Sequence, residues 1–111
     1  MTLEHIEQEW DLLDIKFITL EEIKTYLNID LEDIYYDEML TEYIATSLIY
    51  IIKNAGNAWM ADEYCIKLAK LLQRKFILDM FENRGTEISN STKRDIMVNT
   101  ILEILASVGG E

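Results

Sequence analysis

The chain of 111 residues has room for one domain, and 50% of its residues are hydrophobic, which is enough for a core without disulfides or metals. It has no proline, four glycines and a single cysteine, so tight turns are scarce and neither an internal disulfide nor a cysteine-based zinc site can form. The net charge of −11 opposes binding to phosphate backbones and disfavours a general nucleic-acid-binding protein.

The charge is unevenly distributed along the chain. Residues 1–50 contain 13 acids and two lysines, whereas residues 51–111 contain eight acids and eight bases. One end of the fold is therefore expected to be strongly negative. The opening residues MTLEHIEQEW lack the basic region and apolar core of a signal peptide, and we expect a soluble, intracellular protein without a membrane segment.

Two short helices are predicted first. Apolar residues at spacings of three and four predict a helix over 2–14, within an N-terminal extension over 1–16. Thr19 and Glu22 have the spacing of a capping box, which predicts the start of a second helix that ends at 28–30. The expected buried stripe of that helix is Leu20, Ile23, Tyr26 and Leu27. An acidic loop with aromatic residues is expected to follow.

Two long helices form the predicted scaffold. One runs from an Asp37 cap to Ala55 and stops at Gly56, and the other runs from about Asp62 to Asn83. The short connection between them predicts that they pack antiparallel. The residues expected to be buried together are Leu48, Ile52, Leu68, Leu72 and Phe76.

A last helix is predicted within 89–111, capped by Asn90 or Ser91. Its expected apolar positions are Ile96, Met97, Ile101, Leu105 and Val108. The chain is therefore predicted to be all-α: a single domain built as a small helical bundle of about four to five helices, with two long antiparallel helices at its centre.

The sequence offers little for catalysis. His5 is the single histidine and is expected to be a surface residue on an acidic helix, while Cys65 falls on an apolar helix face, as a buried thiol does. No nucleotide-binding, zinc-protease or hydrolase motif occurs. We expect no enzyme activity, no cofactor and no metal site.

Surface charge and aromatic residues point instead to protein contacts. Four basic residues at helical spacing predict a positive stripe on the fourth helix: Lys67, Lys70, Arg74 and Lys75. This stripe is either a solvated face or a contact for the acidic half of another copy. Trp10 and Trp59 lie off the main apolar stripes and are further candidates for a subunit interface.

One family resemblance is carried by short motifs in a fixed order. The segment ITLEEIKTYLNID at 18–30, the acidic stretch after it, a long helix, and FENR at 81–84 resemble the head-tail connector, or adaptor, proteins of long-tailed bacteriophages. The resemblance covers roughly residues 17–88 and leaves both ends of the chain outside it.

The resemblance implies a non-enzymatic structural protein of a phage or prophage. Such an adaptor docks on the portal of the head, forms a ring that matches the portal symmetry, and continues the DNA channel toward a downstream head-completion or tail protein. The implied location is the virion head-tail junction, and the host cytoplasm during assembly.

Arg84 is expected to be structural, reaching the last helix carbonyls or Glu82 or Glu87. The alternative to the adaptor function of the chain is a small acidic regulator or DNA mimic that inhibits a nucleic-acid-binding protein.

Overall fold

The computed structural model describes residues 16–85 and 87–108, and the predicted helix over 2–14, with His5 and Trp10, lies outside them. The fold is all-α, and no strand occurs among the described residues. The helices are α1 (Leu20–Tyr26), α2 (Asp37–Ala55), a 3₁₀ helix (Ala58–Ala61), α3 (Glu63–Asn83), α4 (Asn90–Lys93) and α5 (Ile96–Val108). The small helical bundle predicted from the sequence is confirmed.

Helix α1 begins at the predicted capping box. The Thr19 hydroxyl accepts from the Glu22 amide at 3.1 Å, and the Glu22 carboxylate accepts from the Thr19 amide at 2.9 Å. Both orphan amides at the helix start are thereby satisfied. Ile18 and Ile23, on either side of the cap, are both buried and fix the angle at which the chain enters the helix.

Helices α2 and α3 pack antiparallel, as predicted. Tyr43, early in α2, donates its hydroxyl to the carbonyl of Met80, late in α3, at 3.3 Å. Ser47, one turn later in α2, accepts from Gln73, two turns earlier in α3, at 3.1 Å. From Tyr43 to Ser47 the residue numbers rise along α2, whereas those of their partners fall from Met80 to Gln73 along α3. The two helices therefore run in opposite directions.

The turn between α2 and α3 depends on Gly56 and Trp59. Gly56 has φ 73° and ψ −164°, a conformation that residues with a Cβ avoid. The Gly56 carbonyl accepts from the Trp59 indole nitrogen at 2.7 Å, and Trp59 is 0% exposed. Asp62 then caps α3 by accepting from the amides of Tyr64 and Cys65. The connection is thus held to the core by a buried aromatic ring.

Several details differ from the sequence prediction. Tyr36, not Asp37, occupies the N-cap of α2, and it makes no side-chain cap. The last helix is divided, because Ser89 caps the short α4 and Asp95 accepts from the amides of Met97 and Val98 to begin α5 anew.

The new start of α5 changes which side chains are buried. The buried residues of α5 are Val98, Ile101, Leu102 and Leu105. Ile96, Met97 and Val108, which were predicted to be apolar core positions, are exposed.

Between the two central helices, α2 and α3, Leu72 and Phe76 are fully buried as predicted. The other residues predicted to be buried with them are half-buried at the edge of the core: Leu48, Ile52 and Leu68.

A polar network inside the core joins three parts of the chain. Gln73 is 0% exposed, and its side-chain oxygen accepts from the Ile18 amide at 2.8 Å. Its amide nitrogen donates to the hydroxyl of Ser47. Buried polar groups need such partners, and among the described residues every buried side-chain N or O atom has one. Gln73 therefore holds the segment before α1 against α2 and α3.

Candidate assembly surfaces

A buried lysine organises the loop between α1 and α2. Lys24 is 2% exposed, and its ammonium donates to the carbonyls of Leu31 at 3.0 Å and Asp33 at 2.7 Å and to the Asp37 carboxylate at 2.8 Å. An ammonium has three N–H donors, and all three have an acceptor here. The lysine therefore ties two loop carbonyls and the first turn of α2 to α1.

The predicted buried stripe of α1 did not include this lysine. Lys24 follows Ile23 and lies four residues after Leu20 and three before Leu27, so it occupies an apolar position of the helix. It replaces Tyr26 in the buried stripe, because Tyr26 is 43% exposed. The sequence does contain an indication of this burial, because a lysine falls in the apolar stripe and the loop after it is rich in acids. A buried cation needs acidic or carbonyl partners of this kind.

The outer side of this loop combines acids with exposed apolar side chains. Ile34 is 75% exposed and Tyr35 is 79% exposed. The loop segment 30–35, with the sequence DLEDIY, has three acids and no base. The Asp33 carboxylate accepts from the Tyr35 amide at 3.0 Å, which fixes the backbone at the exposed pair. We call the segment 30–35 the acidic loop.

An aromatic and cationic cluster supports the base of the acidic loop. The Tyr35 and Tyr36 rings meet edge to face with their centroids 4.8 Å apart, and Tyr36 meets Phe81 in the same way at 5.3 Å. The Arg84 guanidinium lies 4.6 Å from the Phe81 ring centroid and 5.5 Å from that of Tyr36. These contacts join the loop to the C-terminal end of α3.

Arg84 thus has different partners from those expected. The ion pairs of residues 16–85 and 87–108 include none between Arg84 and Glu82 or Glu87. The residue also forms the C-cap of α3 in the left-handed conformation, with φ 53°. The predicted contact with a carbonyl or an acid is replaced by stacking on aromatic rings, which supports a structural role for Arg84.

The four basic residues of α3 do not form one continuous stripe. Lys70 pairs with Glu22 of α1 at 3.3 Å, and Arg74 lies 5.6 Å from the Tyr26 ring centroid on the same edge of the helix. Lys75 lies on another edge and is 3.7 Å from Asp95, at the start of α5. Lys67 is exposed. Two of the four cations therefore already face acids of their own chain.

A groove of about 440 Å³ lies between α1 and α3. Its lining residues are Ile18, Glu21, Glu22, Thr25, Tyr26, Leu31, Lys70 and Arg74. Partial burial acts to raise the pKa of the Glu22 carboxyl, but the Thr19 amide and the Lys70 ammonium together lower this pKa below its ordinary value. The carboxylate of the capping box is therefore held in its charged form.

A second groove of about 200 Å³ lies beside the C-terminal half of α2. Its lining residues are Thr46, Ile49, Tyr50, Lys53, Glu87, Ile88 and Lys93. Ile49 is 64% exposed, and the Lys93 ammonium lies 5.6 Å from the Tyr50 ring centroid. The groove thus has apolar walls, two lysines and one acid. We call it the α2 groove.

The tryptophan candidates have different outcomes. Trp59 is fully buried in the core, so its assignment to a subunit interface is wrong: its ring is covered by its own chain. Trp10 lies outside the described residues.

Metal-ligating and thiol groups are further candidates for a site in the part of the chain that the structure describes. The described residues contain no group of three or more histidine, cysteine or acidic side chains that could hold a metal ion. Cys65 is 5% exposed, and its burial, together with the charge of Asp62, raises the pKa of the thiol, which disfavours the reactive thiolate. None of the described helices is both long enough and apolar enough to cross a bilayer.

The described residues thus form a small all-helical module with a fixed acidic loop and shallow surface grooves. The family model of the phage gp6-like head-tail connector proteins matches residues 17–108, and the chain belongs to that family. The match begins where the resemblance noted in the sequence begins, and it continues through α4 and α5. No curated protein and no solved structure matches the chain.

Membership carries a coarse function with it. The family is structural and non-enzymatic, and it acts at the junction of the phage head and tail. It assembles with the portal and tail proteins of the phage.

Proposed function

We propose that the chain is a structural adaptor that docks on the portal of a phage or prophage head and forms a ring there. The ring continues the DNA channel toward a downstream head-completion or tail protein. The observation that carries the proposal is the family match over 17–108, which includes every described helix. The site of action is the head-tail junction of the virion, after assembly in the host cytoplasm.

The charge of the chain supports passage of DNA without specific binding. The net charge is −11, and the excess of acids lies in residues 1–50. A channel lined by this part of the chain repels the phosphate backbone over a distance of about 8–10 Å at physiological salt. The genome then moves through the ring without adhering to its wall.

A first candidate for the contact between neighbouring copies is the basic side of α3. In this arrangement the acidic half of one copy faces Lys67, Lys70, Arg74 and Lys75 of the next. The pairs of Lys70 with Glu22 and of Lys75 with Asp95 compete with such a contact, because each cation must leave an acid of its own chain. Lys67 and Arg74 are therefore the stronger candidates for this contact between copies.

The proposal is tested by mixing the full chain with the portal protein of the same phage and measuring the mass of the complex by analytical ultracentrifugation. We expect several copies of the chain bound to each portal ring.

The second candidate function, a DNA mimic that inhibits a nucleic-acid-binding protein, is favoured by the net charge of −11. A chain that ignores the portal, stays a monomer or dimer, and blocks a DNA-binding protein would support the mimic and contradict the adaptor.

A further inference from the structure

The acidic loop and the α2 groove lie at opposite ends of one helix. The loop ends at Tyr35, two residues before Asp37, the first residue of α2, whereas Ile49 and Lys53 lie 12 and 16 residues beyond Asp37. At 1.5 Å per residue, these positions are about 18–24 Å from the helix start. The two surfaces therefore cannot meet within one chain.

The two surfaces are complementary in charge and in polarity. The loop presents Ile34 and Tyr35, at 75% and 79% exposure, among three carboxylates. The α2 groove presents an exposed Ile49 and a half-buried Tyr50 beside two lysines, Lys53 and Lys93, and one acid, Glu87. An apolar pair among three acids fits an apolar groove whose lysines outnumber its acid by two to one, and such pairing directs one partner toward the other.

The loop is also fixed in shape before any contact forms. Lys24 donates to two of its carbonyls and to Asp37, and the Asp33 carboxylate accepts from the Tyr35 amide. A surface already fixed in its bound shape loses less conformational entropy on binding. Tyrosine in such a position is typical of residues that dominate the energy of an interface.

We infer that the acidic loop of one copy docks in the α2 groove of the next copy, with Ile34 and Tyr35 against Ile49 and Tyr50. The contact uses a different surface on each partner, so it is head-to-tail and closes into a ring when the rotation between copies allows it. The inference rests on the ring proposed above and identifies its subunit contact. Two apolar side chains form only part of a stable interface, which needs about 800 Å² from each partner.

The test uses one variant for each surface. The loop variant carries Ile34→Ser with Tyr35→Ser, and the groove variant carries Lys53→Glu with Lys93→Glu. A third variant, Lys67→Glu with Arg74→Glu, makes the same charge change at the competing candidate contact on α3, and we call it the α3 variant. Circular dichroism melting shows whether each variant is folded, as expected for side chains at the surface.

Assembly is measured by analytical ultracentrifugation of the full chain, alone and with the portal protein. We expect the loop and groove variants each to raise the concentration for half-assembly by about 30-fold or more, the effect of losing an interface hot spot. The α3 variant distinguishes the two candidate contacts: it assembles like the wild type when the loop and the groove form the contact, and fails to assemble when α3 forms it. An equal mixture of the loop and groove variants is expected to form a complex of two copies and no ring, because each pair has one intact contact.

Other outcomes separate the inference from the proposed function. Folded loop and groove variants that assemble like the wild type would overturn the inference and leave the ring intact. Loss of assembly in the α3 variant alone would assign the contact to α3 and overturn the inference. A loop variant that forms rings but no longer binds the portal would assign the loop to the portal and overturn the inference. A wild-type chain that forms no ring with the portal would overturn the proposed function itself, and the inference with it.

Discussion

Replacement of Lys24 by methionine tests the central feature of the acidic loop. Methionine keeps an unbranched apolar stem of similar length but removes the ammonium, so the carbonyls of Leu31 and Asp33 and the carboxylate of Asp37 lose their common donor. The helix propensities of the two residues are similar, so α1 itself is little affected. The measured change therefore reports mainly on the three hydrogen bonds, one of which is also the ion pair with Asp37.

The size of the effect follows from burial. Hydrogen bonds to a charged group contribute about 1.5–3 kcal/mol each, and removal of one partner of a fully buried ion pair costs about 3–5 kcal/mol. The Lys24 side chain is 3% exposed, but the Asp37 side chain is 31% exposed, so water replaces part of what Asp37 loses. We expect Lys24→Met to lower the free energy of unfolding by about 2–4 kcal/mol.

Urea denaturation followed by circular dichroism measures this change, with Lys67→Met as the control. Lys67 is an exposed lysine on α3, and its replacement is expected to change the free energy of unfolding by less than about 0.5 kcal/mol. A double-mutant cycle of Lys24→Met with Asp37→Asn should give a coupling energy of at least about 1 kcal/mol. In the Lys24→Met variant, hydrogen exchange of the amides at 31–36 should also become faster.

One result would refute the reasoning about Lys24. If Lys24→Met and Lys67→Met have the same free energy of unfolding, and the amides at 31–36 exchange at the wild-type rate, the ammonium does not hold the loop. The acidic loop would then owe its shape to the contacts around Tyr36 and to the hydrogen bonds within the loop, which the Asp30 and Asp33 carboxylates accept.

Four further predictions concern the core, the connections and pH. Leu72→Ala should lower the free energy of unfolding by about 2–5 kcal/mol, because Leu72 is fully buried; an unchanged midpoint in urea would contradict this. Gly56→Ala should cost about 1–3 kcal/mol from backbone strain alone, since no atom lies within 4 Å of the added Cβ; thermal melting measures it, and a neutral effect would show that the turn relaxes. Because the fold lowers the pKa of Glu22, the stabilising effect of its carboxylate is complete above the ordinary pKa of 4.5 and disappears as the pH falls through the lowered pKa. Glu22→Gln should remove this part of the acid-induced loss of stability. Identical profiles of unfolding free energy against pH for the variant and the wild type would contradict this. Arg84→Ala should lower the free energy of unfolding by about 0.5–1 kcal/mol through the lost stacking on Phe81, and an unchanged melting temperature would identify an arginine without a structural role.

The sequence predicted those parts of the fold that follow from local rules. The capping box at Thr19 is set by side chains three residues apart, and the bounds of α2 follow from an unbroken apolar pattern that ends at Gly56. The antiparallel packing of α2 and α3 follows from the shortness of the connection between them. In each case the determining residues are close together in the chain, so periodicity and turn chemistry are sufficient.

Features that depend on distant partners were missed. Lys24 has the sequence context of an apolar helix position, and only the fold brings Asp33 and Asp37 to its ammonium. The same applies to the α2 groove, where Lys93 of α4 comes to lie beside Tyr50. The division of the last helix at Asp95 was missed for a different reason, because Asn90, Ser91 and Asp95 are all competent caps and the periodic pattern does not choose among them.

The burial of Lys24 links the stability of the fold to the charge of its surface. Residues 1–50 contain only two lysines, and Lys24 is one of them. Because its ammonium is turned inward to the Asp33 and Leu31 carbonyls and to Asp37, it neutralises one carboxylate at the base of the loop and leaves those of Asp30 and Glu32 on the outside. A lysine at the loop surface would instead have weakened the attraction toward Lys53 and Lys93 of another copy. The same interaction therefore fixes the shape of the acidic loop and preserves the negative charge that its proposed partner surface requires.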